Sequence, residues 1–143
     1  MLVKQISIFL ENKSGRLAEV TKVLGNEGID ISALSIADTT DFGILRLIVN
    51  QPDKAEAVLK ENGFTVSCTS VIAIAVADKP GGLAVALDVL ENSEIGIEYM
   101  YAFIGKSEKE ALVILRVEDS DKAIDVLNKN NITVISSKDV YGL

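Results

Sequence analysis

Apolar and polar residues alternate near the start of the chain. Ile6, Ile8 and Leu10 point one way and Gln5, Ser7 and Phe9 the other, which is the period of a strand. Ile72, Ile74 and Val76 repeat the pattern. After Gly15 the period changes. Leu17, Val20, Thr21 and Leu24 recur at helical spacing, as do Leu83, Ala86, Leu87 and Leu90. Second strands are predicted over 31–37 and 97–104. Third strands over 44–49 and 112–117 are apolar on both faces, as central strands are. Second helices are predicted to begin at Asp53 and Ser120, residues able to cap a helix, and to end at Gly63 and Asn131 in left-handed turns. Last strands are predicted over 64–68 and 132–136.

The pattern is an internal repeat. At an offset of 66 residues, Asn12-Lys13-Ser14-Gly15-Arg16-Leu17 falls on Asp78-Lys79-Pro80-Gly81-Gly82-Leu83, and Ile29-Asp30-Ile31 falls on Ile95-Gly96-Ile97. Beyond residue 40 the offset becomes 68, and Asp53-Lys54-Ala55 falls on Asp121-Lys122-Ala123. The two added residues lie around Gly105–Glu110, a polar stretch suited to a hairpin loop.

Each half therefore reads βαββαβ, the ferredoxin-like order, with two helices on one face of a four-stranded antiparallel sheet. The fold class is α+β, with units over 1–69 and 70–143. No linker separates them, because 64–77 carries no charge, glycine or proline. That segment is expected to be one long or bent strand bridging both units, with strand exchange an open alternative. Ala73, Ala75 and Ala77 share one strand face, where small side chains suit close approach of another layer.

Composition narrows the chemistry. The 143 residues carry 21 acidic and 14 basic side chains, a net charge of −7. No basic cluster exists to displace the counterions of a nucleic acid or to hold an anionic membrane. The longest wholly apolar run, 71–77, is far short of a spanning helix, and no signal-peptide pattern opens the chain. A cytoplasmic location is expected. There is no histidine and one cysteine, Cys68, which argues against a metal site and against an activated thiol. Cys68 reads as a small apolar strand residue. Arg46 and Arg116 read as outer-face ion pairs.

The motif Asn12-x-x-Gly15-x-Leu17 and its copy Asp78-x-x-Gly81-x-Leu83 resemble the ACT-domain signature, and Gly28-Ile29-Asp30-Ile31 and Glu94-Ile95-Gly96-Ile97 resemble that family's turn into the second strand. The resemblance covers both halves. It implies a regulatory protein that binds a free amino acid, modulates a metabolic enzyme, catalyses nothing, needs no cofactor and acts as a homodimer. The implied site is where the loop before the first helix of one unit meets the second strand of its neighbour. Its residues are Asn12, Lys13, Ser14, Gly15, Arg16 and Leu17 with Asp30, Ile31, Ala33 and Leu34 in one half. In the other they are Asp78, Lys79, Pro80, Gly81, Gly82 and Leu83 with Gly96, Ile97, Tyr99 and Met100. Asn12 and Ser14 depart from the Asp-x-Pro-Gly form that Asp78 and Pro80 keep, which sets the two loops apart.

The chemistry suits a zwitterion. First-turn amides of a helix lack intrahelical partners and favour an anion such as an α-carboxylate. Glycine admits close approach. Asn12 or Asp78 would accept from the ammonium, although either residue also fits a helix cap or a turn. The apolar second strand leans towards a branched or aromatic ligand. Tyr99 and Tyr101 suit interface packing as well as ligand stacking. Arg16 reads as a solvated arginine that could steer a carboxylate. The competing reading is an oligomerisation module without a ligand.

Overall fold

The structure, a computed structural model, describes residues 2–11, 14–38, 42–104 and 109–143. The chain runs β1 (Val3–Glu11), α1 (Arg16–Asn26), β2 (Ile31–Asp38), β3 (Phe42–Val49), α2 (Pro52–Glu61), β4 (Thr65–Ala77), α3 (Gly82–Asn92), β5 (Ile97–Ala102), β6 (Glu110–Val117), α4 (Ser120–Lys129), β7 (Thr133–Ile135) and α5 (Ser137–Tyr141). Two compact units divide between Thr69 and Ser70. Val3 goes with the second unit, and Tyr141–Leu143 with the first.

In the amino-terminal unit the strand order is β2-β3-β1-β4. The register pairs Ile6 with Leu47, Ile8 with Leu45 and Leu34 with Leu47, all antiparallel. Ile6, Ile8 and Leu10 meet Val20 and Leu24 of α1 and Ala55 and Leu59 of α2, and this is the unit's core. Each fully buried leucine or isoleucine contributes about 1.5–3 kcal/mol. The Tyr141 hydroxyl accepts the Lys4 N–H at 2.8 Å, tying the chain's end to β1.

In the carboxy-terminal unit β4 is flanked by β6 and β7, and β6 by β5, again antiparallel. Ile72, Ile74 and Val76 pack on Ala86, Leu90, Ala123 and Leu127 of the two helices. On the other face of β4, Ala73 is fully buried and Ala77 is exposed.

β4 is a single strand of 13 residues. It supplies the last strand of one βαββαβ order and the first strand of the next, so the missing linker is a shared strand. The left-handed turns stand as expected, at Gly63 (φ 84°) and Asn131 (φ 60°).

Four local expectations need correction. The cap of α2 is Gln51, with Pro52 at the first turn, and Asp53 instead pairs with Lys4 at 2.6 Å. The cap of α4 is Asp119, whose Oδ1 accepts the Lys122 N–H at 3.1 Å, one residue before Ser120. β7 keeps only three residues, because Ser136 turns the chain into α5. Its Oγ accepts the Asp139 N–H at 3.1 Å and its carbonyl the Val140 N–H at 3.0 Å. The motif leucines Leu17 and Leu83 are not core, being 40% and 37% exposed; the buried stripes start at Val20 and Ala86.

Candidate functional site

Gly15 and Gly81 precede α1 and α3 at φ 87° and 85°, left-handed conformations that disfavour a β-carbon. Among the described residues neither helix has a side-chain cap. Beside both glycines the space is open, with nothing within 4 Å of a β-carbon built there. The Glu19 N–H closes onto the Gly15 carbonyl at 2.9 Å and the Val85 N–H onto Gly81 at 3.2 Å. Gly82 donates to the Lys79 carbonyl at 3.0 Å, while the Leu83 and Ala84 amides find no acceptor among the described residues. Those amides and the helix dipole favour an anion at the start of α3.

Asn12 and Lys13 lie outside the described residues. Ser14, Gly15 and Leu17 are exposed at the start of α1. Asp78, Lys79, Pro80, Gly81 and Leu83 are exposed at the start of α3, and Gly82 is buried. Asp78 does not cap α3. Its backbone N–H donates to the Lys109 carbonyl at 3.1 Å, which holds the loop to the start of β6.

The remaining candidates do not gather around these turns within their own unit. Asp30, Ile31, Gly96 and Ile97 follow the far ends of α1 and α3. An 11-residue helix is about 16 Å long. Asp30 is held structurally: its N–H donates to Asn50 Oδ1 at 3.0 Å and its carbonyl accepts the Asn50 N–H at 3.2 Å. Gly96 and Ile97 line a cleft of about 450 Å³ with Glu91, Glu94 and Glu118. Strand alternation also separates neighbours. Leu34 and Met100, opposite Leu47 and Leu115, share the face of the helices, whereas Ala33 and Tyr99, opposite Ile48 and Arg116, share the other. Tyr99 stacks on Tyr101 with centroids 6.5 Å apart.

The family model for the ACT domain pair matches residues 1–143. The chain belongs to the ACT domain pair family. A crystal structure of a protein from Bacteroides thetaiotaomicron shares 48% identity and a TM-score of 0.94, covering 100% of this chain and 98% of that one. The ligand-free regulatory subunit of aspartate kinase from Thermus thermophilus shares 17% identity and a TM-score of 0.67, covering 91% of this chain and 94% of that one. Its counterpart from Thermus flavus shares 17% identity and a TM-score of 0.58, covering 89% and 91%. At that identity the likeness is one of fold. No curated protein matches. No helix among the described residues is long and apolar enough to cross a membrane.

In this ACT domain pair the sequence misses the environment of Arg16. Its guanidinium lies over the Phe64 ring at 4.6 Å and pairs with Glu19 at 2.9 Å, so it is a packing element rather than a solvated cation. Nor does it anticipate the polar setting of Cys68, whose thiol donates to Glu56 Oε2 at 3.0 Å. Burial, and then the Glu56 hydrogen bond, push that thiol up to about 11. Arg116 pairs with Glu98 at 3.2 Å, as an outer-face arginine should.

Proposed function

We propose that this ACT domain pair is a regulatory amino-acid sensor with no catalytic activity of its own. The ligand's α-carboxylate sits on the first-turn amides of α1 or α3. Its ammonium is met by Asn12 or Asp78. Its side chain lies against the second strand of a second copy of the chain, at Leu34 or Met100. The observation that carries this reading is the uncapped start of α3 on left-handed Gly81, with open space beside it. The fold neighbours named as regulatory subunits of aspartate kinase support control of a metabolic enzyme. Occupancy favours one arrangement of subunits over another and so biases that partner. The raised Cys68 thiol, a poor nucleophile, fits a non-catalytic role. The Phe9 and Phe42 rings, 4.5 Å apart and 43% and 39% exposed, favour a homodimer.

A thermal-shift panel of free amino acids tests the reading. A ligand at 100 times its Kd adds about 2.7 kcal/mol of stability. Gly15→Asn and Gly81→Asn are the informative variants, because asparagine tolerates the left-handed conformation yet fills the open space. Loss of the shift in either variant supports the site. A full shift retained in both overturns it.

A further inference from the structure

The two units differ at the repeat-related position that opens the first helix of each. Arg16 opens α1, and its counterpart opening α3 is Gly82. Phe64 and Ile132 are counterparts as well. Each follows a left-handed residue, and each donates its N–H back to the preceding helix, to Leu59 at 3.1 Å and to Leu127 at 3.0 Å.

In the amino-terminal unit the Arg16 side chain occupies the space between the start of α1 and Phe64. It is 26% exposed, stacks on the ring, and its Nε is buried. In the carboxy-terminal unit a cavity of about 310 Å³ lies between Gly82 and Ile132, lined also by Lys79, Val85, Glu110 and Thr133. That volume is at the small end of the range for small-molecule sites. Nor can residue 82 fill it from the same backbone: a β-carbon there would lie 1.9 Å from the Ala77 carbonyl oxygen.

We propose that this cavity is a binding site for free arginine, whose guanidinium takes the place that the Arg16 side chain holds in the sister unit. Three features select the ligand. The aliphatic stem lies along Ile132 and Val85, as Arg16 lies on Phe64. Glu19, which pairs with Arg16, is replaced by Val85 at the related position, and the acid lining the cavity is Glu110 at the start of β6. A carboxylate suits a guanidinium in paired geometry. Lys79 disfavours a bare cation and favours a ligand that also carries a carboxylate, which distinguishes arginine from a simple alkylguanidinium. The cavity adjoins the Gly81 turn and shares Lys79 and Gly82 with the loop site, while Glu110, Ile132 and Thr133 belong to the cavity alone, so shifts there tell the two readings apart.

Amide-resolved NMR titration of the whole chain with L-arginine is the test, with L-citrulline as the neutral isostere. Saturable shifts at Val85, Ala86, Glu110 and Thr133, and citrulline weaker by about tenfold or more, are expected. Glu110→Gln and Val85→Phe both change exposed residues and should each weaken arginine by about tenfold. Arg16→Ala should open a second site, with new shifts at Phe64 and Glu19. Equal binding of citrulline, wild-type affinity in both cavity variants, or shifts confined to the Gly81 turn would each overturn the proposal.

Discussion

Arg16 lies face-on to Phe64, its guanidinium carbon 4.6 Å from the ring centroid, across 48 residues of sequence. The pair joins the start of α1 to the start of β4 and shields the ring, which is only 4% exposed. A partly desolvated cation–π contact contributes about 0.5–2 kcal/mol, and the arginine stem adds packing. Arg16→Ala should therefore lower stability by about 1–2 kcal/mol, and Arg16→Lys by less. For a chain of this size 1 kcal/mol moves Tm by about 3 °C. A melting temperature unchanged in Arg16→Ala would show that the contact contributes nothing.

The same substitution at two helical glycines should have opposite signs. Gly82 lies against β4, and a β-carbon there meets the Ala77 carbonyl at 1.9 Å, a backbone atom that can yield only if the helix moves. Gly82→Ala should cost about 1–3 kcal/mol. Gly25, near the exposed end of α1, has nothing within 4 Å of its built β-carbon and no positive φ. Gly25→Ala should stabilise by about 0.5–1 kcal/mol through the unfolded chain and helix propensity. Urea denaturation of both variants measures the signs directly.

How much of this was legible depended on whether a feature is local or tertiary. The shared strand β4 follows from an uninterrupted uncharged run, and Gly63 and Asn131 announce their turns by residue type. α5 was missed, although Ser136 and Asp139 have the spacing of a capping box. Asp53 looked like a cap because its chemistry permits one; Lys4, far away in sequence, claimed it. The turns at Gly15 and Gly81 were visible as motifs. The second-strand candidates divide by alternation, Ala33 and Tyr99 lying on the face opposite Leu34 and Met100. The cavity beside Gly82 had a signal in the repeat alignment, where arginine becomes glycine and phenylalanine becomes isoleucine.

Cys68, Glu56 and Lys4 form one network, with the thiol on Glu56 at 3.0 Å and the Lys4 ammonium 3.6 Å from the same carboxylate. Burial, then the Glu56 contact, raises the thiol from 9.0 to about 11. The unfolded chain loses that proton first, so this contribution is whole below pH 9.0 and disappears as pH rises through about 11. Lys4 is raised above 10.5, chiefly by its hydrogen bond to Asp53, and acts in the same direction. Glu56 is lowered from 4.5, chiefly by the Cys68 hydrogen bond. Its contribution is present above 4.5 and lost as pH falls through the depressed value. Stability measured against pH should decline on both sides, and Cys68→Ala should flatten the alkaline side. Thiol alkylation at neutral pH should be slow in the native chain and faster in Glu56→Gln. Equal alkylation rates would break the proposed link.

A flexible tether between Phe64 and Ala77 would be a preferred target for proteases, which need several extended residues free of partners. β4 has no such stretch in its second half. Ile72 to Ala77 pair with Leu115 to Glu110 on one side, and Ala73 to Ala75 with β7 on the other, while β1 is hydrogen-bonded to the same strand. Freeing it requires breaking sheet hydrogen bonds together with the burial of Val71, Ile72 and Ile74, all fully inaccessible. Opening of that kind has a free energy close to that of global unfolding. Brief digestion with a broad-specificity protease should leave 65–77 intact in native buffer, and cleavage there should rise with urea in step with global unfolding. A native-state cut within the segment, faster than unfolding, would mean that two independent strands meet there in place of one shared strand.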